Sequence, residues 1–171
     1  SRHFSVKRGI LTVTAPHGFR SVQLESFARK PDGRSTMFQY GYFEARLRYD
    51  FNTAGGSTFW MVGEPATFPR LRGQFSRYCE IDIIEPHKGT RYGFSVHDYH
   101  ALHRSHETPK NFRDHHPTTN AEEWTRYGVL WQPDRISFFR DGVAMGSVPT
   151  PEICKNQQLF MIFGAQKHDG T

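Results

Sequence analysis

Tyr127-Gly128-Val129-Leu130-Trp131-Gln132-Pro133-Asp134-Arg135-Ile136-Ser137-Phe138-Phe139-Arg140-Asp141-Gly142-Val143-Ala144-Met145 is the stretch that decides the fold. Two apolar runs, 127–132 and 136–140, flank Pro133-Asp134-Arg135, which reads as a hairpin connection. Asp141-Gly142 then turns the chain into a third run, 143–145. Pro presets a turn φ, and Asp-Gly supplies the positive φ that a tight hairpin needs. Three short strands joined in this way predict an antiparallel sheet.

The same grammar extends in both directions. In 40–49, Tyr40, Tyr42, Glu44, Arg46 and Arg48 fall on one face, and Phe43, Ala45, Leu47 and Tyr49 on the other. Residues 21–26 alternate with period two, and 10–14 form a short β-branched run. Thr58 to Val62 is a compact apolar run closed by Gly63; 78–84 and 159–163 are two more. Pro, Gly or Asn interrupts every helical window longer than about ten residues. Many short strands with turns between them predict an all-β sandwich, with residues 1–171 as one domain. His97 to Asn120 lacks periodicity and carries six His, so it is expected to be mainly long loops near a functional face.

Composition narrows the function classes. Phe, Tyr and Trp make up 15% of the chain. Such planar side chains fill sheet-on-sheet cores and also pave sugar clefts, where a ring face meets the C–H face of a pyranose. The net charge of +5 favours an acidic partner. The Lys and Arg are scattered, however, and no helix-turn-helix, zinc-finger or RNP-like pattern occurs, so no nucleic-acid partner is expected. No apolar stretch approaches the roughly 18 residues of a membrane helix, so no membrane partner is expected either. Cys79 and Cys154 can pair or both be free. The chain opens at Ser1 rather than Met, which reads as a mature product or a fragment. A monomer without cofactor is expected.

Within 78–84 and just beyond, Glu80-Ile81-Asp82-Ile83-Ile84-Glu85 places three carboxylates in a window that otherwise reads as a buried strand. Charges there are expensive without a function. In a regular strand 80, 82 and 84 share a face and 85 points away. One extra residue in a β-bulge between 82 and 85 brings Glu85 round to join Glu80 and Asp82. Two carboxyl groups at such spacing suit a retaining glycosidase, in which one is the nucleophile and the other the acid and base. Crowded like charges keep one of the three protonated near neutral pH. Which Glu is the nucleophile stays open on these residues alone. A solvent-exposed carboxylate face that pairs with Arg or holds a cation is the plainer reading.

This spacing resembles the bulged E-x-D-x-x-E signature of glycoside hydrolase family 16. Tyr40-Gly41-Tyr42-Phe43-Glu44-Ala45-Arg46 is similar to the family's YG-aromatic-FEAR strand, and 56–61 to the strand whose Trp floors the cleft. Trp124, Tyr127, Gly128 and Trp131, then Ile136, Phe139 and Asp141-Gly142, resemble its W-x-x-Y-x-x-x-W strand and I-x-F-x-x-D-G hairpin. The four blocks stand in the family's order over residues 40–142. The resemblance implies a β-jelly roll of two curved antiparallel sheets with substrate in a concave cleft. It implies Glu80 as nucleophile, Asp82 as its helper and Glu85 as acid/base, with Trp60 stacking on a sugar near the cleavage point. Trp124 and Trp131 are expected in the core. Family domains are usually longer, so either the N-terminal part supplies the strands compactly or the chain is a trimmed or partial one.

The family cuts β-1,3- and mixed-linkage glucans, agar- and carrageenan-type galactans, and xyloglucan. The bulged spacing fits its laminarinase, agarase, porphyranase and carrageenase branches; the lichenase and xyloglucan branches resemble E-x-D-x-E. The expected activity is therefore retaining, endo-acting hydrolysis of a polysaccharide, outside the cell or at its surface. A non-catalytic, lectin-like sandwich is the alternative. Arg70, Arg72 and Arg77 just before the trio tilt the substrate toward a sulfated galactan, since guanidinium forks bind sulfate by paired hydrogen bonds. His97 is expected as a polar cleft residue meeting sugar hydroxyls. His97 and His100 face opposite ways on a strand and lack a third ligand nearby, so no metal site is expected. A structural Ca2+ is compatible with the fold but not indicated.

Overall fold

The computed structural model describes residues 3–15, 21–27, 35–48, 57–63, 77–87, 91–100, 112–117 and 123–166. The strands are β1 (Phe4–Lys7), β2 (Ile10–Val13), β3 (Ser21–Glu25), β4 (Gly41–Leu47), β5 (Ser57–Gly63), β6 (Arg77–His87), β7 (Arg91–His100), β8 (Phe112–Pro117), β9 (Thr125–Trp131), β10 (Arg135–Arg140), β11 (Val143–Pro149) and β12 (Leu159–Gln166). One four-residue helix, α1 (Glu152–Lys155), precedes β12. A four-stranded sheet runs β11-β10-β9-β4, a six-stranded sheet β3-β12-β5-β6-β7-β8, and β1 and β2 form a hairpin. Every pairing is antiparallel. The chain moves between the two large sheets several times, giving the jelly roll expected.

The β10–β11 turn has positive φ at Asp141 (48°) and Gly142 (81°), the geometry read from Asp-Gly. Arg8 (53°) and Gly9 (75°) build the same kind of turn between β1 and β2. β1 is too short and too exposed to announce itself by alternation. The segment 97–120 departs from the expected loops: β7 continues to His100, and 112–117 form the edge strand β8.

Alternation places the core. Phe43, Ala45 and Leu47 of β4 and Tyr127, Val129 and Trp131 of β9 face Phe59, Met61, Ile81, Phe94 and Val96 of the large sheet. Phe94 stacks on Phe138 with centroids 4.5 Å apart, joining the two layers. Each such side chain contributes about 1.5–3 kcal/mol on burial. Tyr40 leaves the polar face assigned to it. Its φ is 65°, just ahead of β4, and its ring meets Trp131 edge-on at 5.2 Å. Trp131 is buried as expected, but Trp124 is 38% exposed. In β9, Thr125, Tyr127, Val129 and Trp131 point inward, so position 124 faces out, where Arg46 and Arg48 lie 5.5 and 5.6 Å from its ring centroid.

Cys79 and Cys154 form a disulfide that ties β6 to α1, which settles the question the sequence left open. The Cys79 N–H donates to Gln157 Oε1 at 3.0 Å. The Tyr40 hydroxyl and the Gln39 amide both donate to the Lys155 carbonyl, at 2.9 and 2.8 Å. The end of α1 is thus pinned beside the residue that precedes Glu80.

Candidate active site

β6 carries the trio, and its pairing contains the bulge. Toward β5, Trp60 pairs with Asp82 and Phe59 with Ile84, so Ile83 is skipped. Toward β7, Asp82 pairs with Ser95 and Glu85 with Gly93, two residues on β6 opposing one on β7. The Ile83-Ile84 doublet suits this place, because both side chains are buried, at 2% and 0% exposure. Removing one residue from the alternation turns Glu85 to the face of Glu80 and Asp82. The three carboxylates meet in a cavity of about 120 Å³ that is also lined by Thr58, Trp60 and Ile84.

Asp82 is held from behind. The Ser95 hydroxyl donates to its Oδ2 at 2.5 Å. His97 Nε2 lies 3.0 Å from the same oxygen and 2.8 Å from Ser95 Oγ. Ser95 has one proton and directs it to Asp82, and a carboxylate only accepts. With Asp82 ionised, the tautomer that satisfies all three contacts puts the proton on His97 Nε2. His97 is 2% exposed. His97 is thus directed at Asp82 from the neighbouring strand. Burial first, and then the charge of Glu80, push the Tyr78 phenol up, which keeps it a neutral O–H beside Glu80.

Trp60 is half-buried and packs with Val62, Phe160 and Ile162, backed by Phe27, Met37 and Tyr78. Its Nε1 is buried without a hydrogen-bond partner among the described residues. Arg77 opens β6, its backbone opposite His100, while Arg70 and Arg72 lie outside the described residues. Glu80, Asp82 and His97 each bring one ligand atom within 4.8 Å of the others, a group among the described residues that could hold a cation. A cation there would displace the hydrogen bonds of His97 Nε2. Sequence reasoning missed Ser95 and Thr58. Ser95 was findable, since Gly93, Ser95 and His97 alternate with the buried Phe94 and Val96.

The model of glycosyl hydrolases family 16 matches residues 3–161. The endo-1,3-1,4-beta-glycanase EglC of Rhizobium meliloti (strain 1021) is 26% identical over 165 residues, which cover 93% of this chain and 33% of that protein. The chain thus spans about a third of the length of that relative. Porphyranase B of Zobellia galactanivorans superposes with a TM-score of 0.66 at 18% identity, over 99% of this chain and 68% of that one. A GlcNAcα1-4Gal-releasing endo-β-galactosidase of Clostridium perfringens gives a TM-score of 0.70 at 16% identity, over 98% and 50%. These two likenesses speak for the fold, and the sequence match carries the assignment: the chain belongs to glycosyl hydrolase family 16.

Proposed function

We propose that the chain is the catalytic unit of a retaining endo-β-glycosidase that hydrolyses a polysaccharide by double displacement. The observation that carries this reading is the bulge at Ile83-Ile84, which gathers Glu80, Asp82 and Glu85 on one cavity. Glu80 attacks the anomeric carbon, and Glu85 gives its proton to the departing glycosidic oxygen. A water then loses its proton to Glu85 and displaces Glu80, so configuration is retained. Asp82, fixed by Ser95 and His97, orients Glu80 and tempers its charge. Trp60 supplies the apolar wall for a sugar ring. Two carboxyl groups suffice for these steps, and no cofactor is assigned to them.

The substrate is a galactan of the agar, porphyran or carrageenan type, or a β-1,3-glucan. The bulged spacing supports both, and the fold neighbours include enzymes named for porphyran, κ-carrageenan and laminarin. The disulfide supports a place outside the reducing cytoplasm, in the periplasm, at the cell surface or secreted.

The test is a reducing-sugar assay on laminarin, lichenan, agarose, porphyran and κ-carrageenan. Wild type is expected to release ends from one of them, with Glu80→Gln and Glu85→Gln each about a hundredfold slower or worse and still folded by circular dichroism. Turnover undiminished in either variant would overturn the assignment.

A further inference from the structure

Thr58 is 6% exposed, and its hydroxyl is buried without a hydrogen-bond partner among the described residues. A donor left in this state destabilises the fold. Its position is informative. Phe59 and Ile84 form the last pair between β5 and β6, and Thr58 and Glu85 are the next residues outward on the two strands, lining the same cavity. On its other side Glu85 pairs with Gly93, which has no side chain. Thr58 in turn pairs with Gly164 across β12, again without a side chain. A Cβ added at Gly164 would lie 2.9 Å from Thr58 Oγ1, so the glycine keeps the space beside the hydroxyl clear. Among the described residues, Thr58 is thus the hydroxyl of β5 that lines the cavity together with Glu85. Side chains on neighbouring strands, opposite or diagonal, stand about 4.5–8 Å apart at Cβ, within reach of a threonine hydroxyl and a glutamate carboxylate.

This inference rests on the role given to Glu85 above. We propose that Thr58 is a positioning residue for Glu85. When Glu85 has passed its proton to the leaving oxygen, it becomes a carboxylate and a stronger acceptor. The Thr58 hydroxyl then turns on χ1 and donates to it, and it keeps its own proton throughout. The bond holds the carboxylate in place for the water of the second step and is released when Glu85 regains a proton from that water. The hydroxyl waits unpaired because its strong acceptor arises only when Glu85 ionises, in turnover or on the basic limb of the free enzyme. Among the described residues, the other titratable groups that line the cavity with Glu85 are Glu80 and Asp82 on its own strand, His97 of β7 reaches Asp82, and β5 brings none.

The experiment compares Thr58→Val and Thr58→Ser with wild type on the polysaccharide that wild type cleaves. Valine keeps the shape and removes the hydroxyl. Thr58→Val is expected to match or exceed the wild-type Tm and to lose about tenfold in kcat. The basic limb of its kcat/KM profile, which reports loss of the Glu85 proton, moves to higher pH by about one pH unit. Thr58→Ser restores both the rate and the limb. A Thr58→Val profile superimposed on wild type, or a Tm clearly lower than wild type, would overturn the proposal while leaving the hydrolase assignment intact. If wild type releases no sugar from any of the five polysaccharides, the hydrolase assignment fails first and takes this role with it.

Discussion

Asp82 shows how a single oxygen can concentrate a site. Two donors, Ser95 Oγ and His97 Nε2, converge on its Oδ2, and all three residues are buried. Removing His97 leaves a buried carboxylate with one donor fewer and a void behind it. His97→Ala is expected to lower stability by about 2–4 kcal/mol and to reduce kcat, whereas Ser95→Ala costs about 1 kcal/mol. Urea midpoints measure both. A histidine that met sugar hydroxyls would instead raise KM and leave the midpoint unchanged. The carboxylates were legible in the sequence because charge inside an apolar strand is anomalous by itself. The partner of His97 was not, because it depends on how β7 registers against β6. The exposure of Trp124 was missed for a related reason: a Trp one residue ahead of a strand takes its side from that strand's phase, and its size carries no such information.

At the scale of elements, alternation and turn chemistry made most strands legible, and the Asp141-Gly142 hairpin came out with the geometry its residues demand. β8 was not legible. Phe-Arg-Asp-His-His-Pro has no period, and an edge strand needs none, since among the described residues one side of it makes no strand pairing. The bulge was legible only through chemistry, as the one way to bring Glu85 round. Its parity gives a sharp prediction. Deleting Ile83 leaves Asp82, Ile84 and Glu85 in ordinary alternation, with Glu85 still in the cavity. That variant is expected to be less stable, having lost a buried side chain, yet to keep measurable turnover. Inserting one Ala between Asp82 and Ile83 makes the spacing even, so ordinary alternation returns Glu85 to the cavity side but one strand step farther from Glu80, and turnover is expected to be abolished. Reducing-sugar release and circular dichroism on the two variants test this.

Across the whole molecule, the Cys79–Cys154 disulfide closes a sequence separation of 75 residues and fastens α1 to the strand that bears the trio. Closing a loop of that length in the unfolded chain is worth about 4 kcal/mol. A reductant is therefore expected to lower the unfolding free energy by that amount and the midpoint with it, and turnover should fall as β6 loosens near Glu80. Thermal unfolding with and without reductant, followed by the reducing-sugar assay, checks both. The two-sheet architecture was legible because it follows from counting strands. The disulfide was not, because two cysteines carry no distance between them until the sheets are stacked.

The bulge also has a genetic consequence. In most β-strands a one-codon insertion or deletion reverses every side chain beyond it, so an enzyme that gains or loses one passes through a dead intermediate. Here the extra residue is absorbed in the Ile83-Ile84 doublet, where β5 pairs past Ile83 and β7 sets one residue against two. The E-x-D-x-x-E and E-x-D-x-E spacings are then separated by a single in-frame codon. A lineage can cross between them while its acid stays on the working side of the sheet.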